Sequence, residues 1–236
     1  MADYKDIIGT AVRNNAGNLP STQKKELFFD TTNIDFKYQF AAVTSAGVFR
    51  TGGNLNQAKS QVGSAGTYTQ ALCFGGKTDA SNTTTANTEQ YNGVSWTEVN
   101  NLNTSRRIGI GTGGYTSALY IGGYITSTQS LNESWNGTCW TEVNDLNTAR
   151  DEVAGAGSST SALASGGNTP GNVVEGWNGT SWTEVAELGS ARNYAGSAGS
   201  VSAAFVAGDS PHSSTAANDT EEFTSTDFEI KTITTS

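Results

Sequence analysis

The sequence predicts an all-β fold assembled from repeated units of four short strands. Three observations carry that expectation. Only 15% of the 236 residues are charged, well below the ~25% of an average globular chain, and Ser, Thr and Asn together make up about a third. That is a poor composition for helix surfaces, whereas Thr, Val, Tyr, Phe and Trp suit pleated surfaces and Gly, Asn and Ser suit turns. Second, one phrase recurs: VSWTEVNNLNTSR (94–106), TCWTEVNDLNTAR (138–150) and TSWTEVAELGSAR (180–192). Third, each copy follows an aromatic-Asn-Gly step, at 91–93, 135–137 and 177–179. Asn-Gly is the dipeptide that tight hairpins need for positive φ.

The period sets the elements. Trp96 and Trp140 stand 44 residues apart and Trp140 and Trp182 stand 42 apart, a spacing that matches one four-stranded propeller blade. In the second unit the strands fall near 106–113, 117–122, 130–136 and 139–144. The first is glycine-dense, as expected of an inner strand where blades converge and leave no room for a Cβ. A glycine pair then closes each apolar second strand: Gly75-Gly76 after ALCF, Gly122-Gly123 after ALYI, Gly166-Gly167 after ALAS. A weaker version, AFVAG, spans 204–208. The last unit decays: in EEFTSTDFEIKTIT (221–234), Phe223 and Phe228 stand in for the aromatic-Asn-Gly and Trp-Thr-Glu-Val elements. A fainter copy lies upstream, in GVFRTGGNLNQAK (47–59), where Asn54-Leu55-Asn56 matches Asn101-Leu102-Asn103.

The expected architecture is a propeller of four, or at most five, four-stranded blades over 53–236. Residues 1–52 are expected to form a short strand or hairpin segment, serving as an anchor or as an atypical extra blade. That segment is richer in charge (Lys24, Lys25, Glu26, Asp30, Asp35, Lys37), and Pro20 marks a boundary within it.

Composition also excludes functions. A net charge of −9 with 13 dispersed cations does not neutralise a row of phosphates, so nucleic acid is not an expected partner. No apolar run approaches the ~20 residues that span a bilayer, and no leader precedes the first strand, so neither membrane insertion nor secretion is expected. Two cysteines, Cys73 and Cys139, make no disulfide framework, and His212 alone anchors no histidine-rich metal centre. Nucleophilic catalysis has no visible triad. No enzyme activity and no cofactor are expected.

The glycine pair ending the second strand, the aromatic about fifteen residues later, the tryptophan and the arginine opening the next unit together resemble kelch-type β-propeller repeats over residues ~47–234. The Asn/Thr/Ser-rich wording of 91–106 and 135–150 is closer to the degenerate kelch-like repeats of virion proteins from marine and cyanobacterial tailed phages. The opening, MADYKDIIGTAV followed by ELFFDTTNIDFKYQF, is similar to the N-terminal segments of such tail-fibre or virion-surface proteins. The resemblance implies a non-enzymatic virion structural protein: a tail fibre, tail-associated protein or head-surface appendage. Such a protein is made in the host cytoplasm without a signal peptide. Its implied partners are other virion proteins, itself as a homo-oligomer (a trimer, by analogy with fibres), and a host-surface glycan or protein. A kelch-type protein-interaction scaffold and a glycan-binding propeller are the alternatives.

Residues repeated once per blade are placed by the fold around a ring rather than converging on one substrate, so they read as structural. These are Trp96, Trp140, Trp182 and Phe228; Glu98, Glu142 and Glu184; Arg106, Arg150 and Arg192, with Lys59 in the corresponding place; and Gly75, Gly76, Gly122, Gly123, Gly166 and Gly167. The arginines are expected to pair with repeated glutamates, the Trp-Thr-Glu-Val series or the second series Glu89, Glu133, Glu175 and Glu221, or to cap turns between blades. Contact residues are sought instead in the loops after the glycine pairs, which vary while the strands repeat: Lys77, Asp79, Tyr124, Thr126, Asn168, Asn172, Asp209 and His212.

Overall fold

Alternating small and apolar residues bounded by Gly, Asn and Ser produce strands throughout, and the computed structural model contains no helix among the residues it describes: 13–15, 27–30, 35–38, 51–78, 81–208 and 219–225. The chain divides into two units, Met1–Thr51 and Gly52–Ser236.

The first unit holds β1 (Arg13–Asn15), β2 (Leu27–Asp30) and β3 (Asp35–Tyr38) in the order β1-β2-β3. β2 and β3 form an antiparallel hairpin, with Phe29 opposite Phe36. β1 runs parallel to β2, a strand the sequence reading lacked. The stretch 16–26 separates the two, about the dozen residues a parallel crossover requires.

The second unit is a four-blade β-propeller. Blade 1 is β4 (Gly63–Gly66), β5 (Ala71–Phe74), β6 (Thr88–Tyr91) and β7 (Trp96–Val99). Blade 2 is β8 (Ile110–Gly114), β9 (Ser117–Ile121), β10 (Asn132–Trp135) and β11 (Trp140–Val143). Blade 3 is β12 (Ala154–Gly157), β13 (Ala162–Ser165), β14 (Val173–Trp177) and β15 (Trp182–Glu187). Blade 4 is β16 (Gly196–Gly199), β17 (Ala203–Ala207) and β18 (Thr220–Thr224). Each blade is an antiparallel meander in chain order. The outer strand expected for blade 4, with Phe228, lies outside the described residues.

The glycine-dense strands are innermost, as the sequence predicts. β4 lies beside β8, β8 beside β12, and β12 beside β16. A Cβ on Gly111 would meet the Ser64 carbonyl oxygen at 2.2 Å, so the strands approach this closely only because the side chain is missing. Residues of the four inner strands line an open cavity of about 390 Å³ made of Gly, Ala, Ser and Thr.

Each blade packs through two unlike walls. The wall facing the next blade presents Leu72 and Phe74 in blade 1 and Leu119 and Ile121 in blade 2. The wall facing the preceding blade presents a cross-strand aromatic pair, Trp135–Trp140 or Trp177–Trp182, with ring centroids 5.4 and 5.3 Å apart. Phe74 meets Trp140 edge-on at 4.7 Å, an arrangement that adds ~0.5–1.5 kcal/mol beyond area burial. Trp140 also donates from Nε1 to Thr88 Oγ1 of blade 1 at 3.0 Å. The Asn-Gly steps make the expected turns: Asn92, Asn136 and Asn178 each accept at Oδ1 from the two backbone N–H groups that follow the glycine, all at 2.9 Å.

Candidate functional site

The repeated polar residues form one latch per blade, built where the linking loop reaches the third strand. In blade 2, Glu133 on β10 accepts from Asn103 N at 2.7 Å, Asn103 Nδ2 at 2.9 Å and Thr104 N at 3.3 Å, and pairs with Arg106 Nη1. Asn103 Nδ2 also donates to Trp140 O, tying the loop to the outer strand. Arg106 donates from Nε to Gly122 O and from Nη2 to Tyr120 O, and lies 4.3 Å from the Tyr120 ring centroid. Blade 3 repeats this with Asn147, Arg150 and Glu175, the ion pair at 2.8 Å. Blade 4 uses Gly189 N and Arg192 on Glu221. In blade 1, Asn56, Gln57 and Lys59 hold Glu89, with Lys59 Nζ 3.6 Å from the carboxylate. Asn56 therefore does in blade 1 what Asn103 does in blade 2.

The cations choose the second glutamate series. Glu98, Glu142 and Glu184 are exposed on the outer strands, opposite Glu89, Glu133 and Glu175 respectively. Burial pushes the Glu89 carboxyl up, but the Asn56 and Gln57 N–H groups, the Asn56 amide and Lys59 outweigh it and hold the group below its usual range. Burial likewise pulls the Lys59 ammonium down, against the attraction of neighbouring Cys73 and Glu89. Cys73 is buried in β5, and Cys139 sits in the turn before β11.

The glycine pairs complete the latch. Gly76, Gly123 and Gly167 donate N–H to the carbonyls of Arg106, Arg150 and Arg192 of the following blade, at 2.9, 2.9 and 3.0 Å. Gly122 has φ 61°, and a Cβ there would meet Arg150 O at 2.3 Å. The pair thus serves both a left-handed backbone and a close approach between blades.

Next to each latch the chain turns inward through a non-glycine residue of positive φ: Gln61, Ile108, Glu152 and Tyr194, between 53° and 60°. These residues form a collar around the axis. Ile108 N donates to Gln61 O, Glu152 N to Ile108 O, and Tyr194 N to Glu152 O, at 3.0–3.1 Å. Sequence reasoning missed all four, because nothing local marks an isoleucine for a left-handed conformation. Arg107 Nη1 donates to Gln61 Oε1 at 2.7 Å and its guanidinium covers the Tyr124 ring. Asn193 Nδ2 donates to Glu152 Oε2 at 2.8 Å. Asp151 is 2% exposed. Burial, reinforced by the Glu152 charge beside it, pushes its carboxyl up.

The variable loops gather on the same face as this collar. Lys77 bridges to Ser60 and Thr84, and its ammonium donates to Asn82 Oδ1 at 2.6 Å. Tyr124 bridges to Arg107 and Thr128, and its hydroxyl donates to Thr126 O at 3.0 Å. Asn168 N donates to Asp151 O at 2.9 Å, and Asn172 Nδ2 to Glu187 Oε2 at 3.3 Å. Asp79, Asp209 and His212 lie outside the described residues. The Asn-Gly turns and the inner hairpins occupy the opposite end of the blades. No protein-family model matches the chain, and no curated protein matches it. Among the described residues, no group of three or more His, Cys, Asp and Glu side chains comes together as a metal site would require. The loop face offers hydrogen-bonding amides and hydroxyls, the cation Lys77 in the blade 1 loop, Arg107 beside the blade 2 loop, and the aromatic ring of Tyr124.

Proposed function

We propose that this chain is a non-enzymatic structural protein of a tailed-phage particle, a tail fibre, tail-associated or head-surface appendage of kelch-like type, that presents its loop face for assembly or host attachment. The observation that carries the reading is the division of labour between the two ends of the blades. The latch recurs in all four blades, and the glycine pairs and Asn-Gly turns recur in blades 1 to 3. The loops carrying Lys77, Tyr124, Thr126, Asn168 and Asn172 differ in every blade yet emerge on one face. A constant scaffold with one variable face suits recognition of an external surface. The phage assignment rests on the resemblance of the repeat wording and of the opening segment to virion proteins. Its partners are then neighbouring virion proteins, further copies of itself, and a host-surface glycan or protein.

Immunogold labelling of purified particles, with serum raised against the full chain, tests the assignment. Gold at a fixed place on the particle is the expected result. Particles without label, with the protein recovered only from the soluble fraction of the infected cell, would favour a protein-interaction scaffold instead.

A further inference from the structure

Among the described residues, the packing of the propeller leaves one wall partly exposed at each end of the blade series, and the two walls are of opposite kind. In blades 1 to 3 the wall facing the next blade is closed at its centre by Leu72, Leu119 and Leu163, all 0–1% exposed. The equivalent residue of blade 4 is Phe205, since Ala204 takes the place opposite Gly199 that Ala71, Ala118 and Ala162 take opposite Gly66, Gly113 and Gly157. Phe205 is 42% exposed. At the other end, the aromatic pair of blade 1, Tyr91–Trp96, has its rings 5.0 Å apart like the buried pairs of blades 2 and 3, yet both residues remain partly exposed. Val94, between them in sequence, is 76% exposed.

The collar tells the same story. Its bonds run from blade 1 to blade 4 and end at Tyr194. Among the described residues, no bond from Gln61 N to Tyr194 O closes the circuit, nor does β16 approach β4 as the other inner strands approach their neighbours. The Phe205 wall and the Tyr91–Trp96 wall correspond to the two sides of the repeating interface, and among the described residues they do not pack on each other within one chain.

We propose that the Phe205 wall of blade 4 docks on the Tyr91–Trp96 wall of blade 1 in a second copy of this chain. The docking continues an interface that the protein makes twice among its described residues: apolar side chains from the second strand of one blade against the cross-strand aromatic pair of the next, Trp135–Trp140 and Trp177–Trp182. Burial of contiguous apolar surface drives such contacts. The contact is heterologous, so it yields a closed ring of copies where its rotation permits and an open series where it does not. This inference does not depend on the phage assignment.

Sedimentation velocity of the full chain over a range of concentrations tests it, together with Phe205→Glu and Trp96→Glu. Circular dichroism confirms that each variant is folded, and Val94→Glu replaces Trp96→Glu if that variant is not. The wild type is expected to self-associate, and each variant alone is expected to sediment as a monomer. A mixture of the two variants is expected to regain a dimer, because one partner still carries an intact Phe205 wall and the other an intact Tyr91–Trp96 wall. A monomeric wild type would overturn the proposal, since both walls would then be satisfied within one chain. So would variants that associate as the wild type does, or a mixture that stays monomeric.

Discussion

Arg106 and Glu133, 27 residues apart in the chain, close a buried ion pair within blade 2, and the same guanidinium holds the carbonyls of Tyr120 and Gly122. One side chain thereby joins the loop leaving blade 1 to the second and third strands of blade 2. A buried pair of this kind adds little net stability over an apolar isostere, but removing one partner strands the other charge, at a cost of ~3–5 kcal/mol. Arg150→Met should therefore destabilise the propeller by about that amount in urea titration, as should Glu175→Leu. The double variant should recover a substantial part of the loss. A double variant as unstable as the sum of the singles would show that the two residues act independently.

Acid should release the latches only after it has protonated ordinary surface carboxylates. The Glu89 carboxyl is held below its ordinary value, and so is that of Glu221, where burial is outweighed by bonds from Gly189, Arg192 and Ser190. A carboxylate depressed in the folded state contributes stability that is present above its unfolded value and is lost as pH falls through the folded one. The thermal midpoint should hold from pH 7 down to about 4.5 and then fall steeply. In Glu89→Gln the midpoint should start lower, and the fall below that pH should be shallower.

Asp151 has the opposite sign. Its carboxyl is raised, first by burial and then by Glu152, and Oδ1 has no hydrogen-bond partner. Stability contributed by a raised carboxyl is full below the unfolded value and declines as pH rises through the folded one. Asp151→Asn should raise the melting temperature at pH 7 by a few degrees, and the gain should vanish below pH ~3.8, as differential scanning calorimetry will show.

The repeat also exposes a defect. Trp140 Nε1 donates to Thr88 in blade 1, but its counterpart Trp182 Nε1 is buried without a partner. The residue of blade 2 that corresponds to Thr88 is Asn132, whose Oδ1 is likewise buried and unpaired. Asn132→Thr should recreate the Thr88–Trp140 bond and stabilise the protein by ~0.5–1.5 kcal/mol in chemical denaturation.

The blades, their inner glycines and their hairpins were legible in the sequence because each depends on local chemistry repeated at a fixed period. The Asn-Gly turns take their positive φ at the glycine beside Asn92, Asn136 and Asn178, where the dipeptide itself announces it, and Gly122 declares its own backbone freedom. What the sequence did not show depends on contacts distant in the chain. Two glutamate series repeat with equal regularity, and only the fold shows that Arg106 reaches Glu133 rather than Glu142. Ile108 takes a left-handed conformation because Gln61 O and Glu152 N fix the peptides on either side of it, which nothing in its neighbours foretells. The uncovered Phe205 could be recognised only once the equivalent leucines were seen to be buried. The parallel strand Arg13–Asn15 pairs across a long connection, where local turn signals carry no information.

The most direct test of the central claim, a constant scaffold displaying one recognising face, is the adsorption rate of particles carrying a loop-face variant. Lys77→Ala, Tyr124→Ala, Thr126→Ala and Asn168→Ala are combined in one chain and compared with Thr138→Ala, Thr160→Ala and Thr180→Ala on the opposite face. The account predicts that both proteins assemble onto particles and that only the loop-face variant slows adsorption to host cells, by about tenfold or more, equivalent to ~1.4 kcal/mol of lost contact. Unchanged adsorption with the loop-face variant, or slowing confined to the turn-face variant, would contradict it.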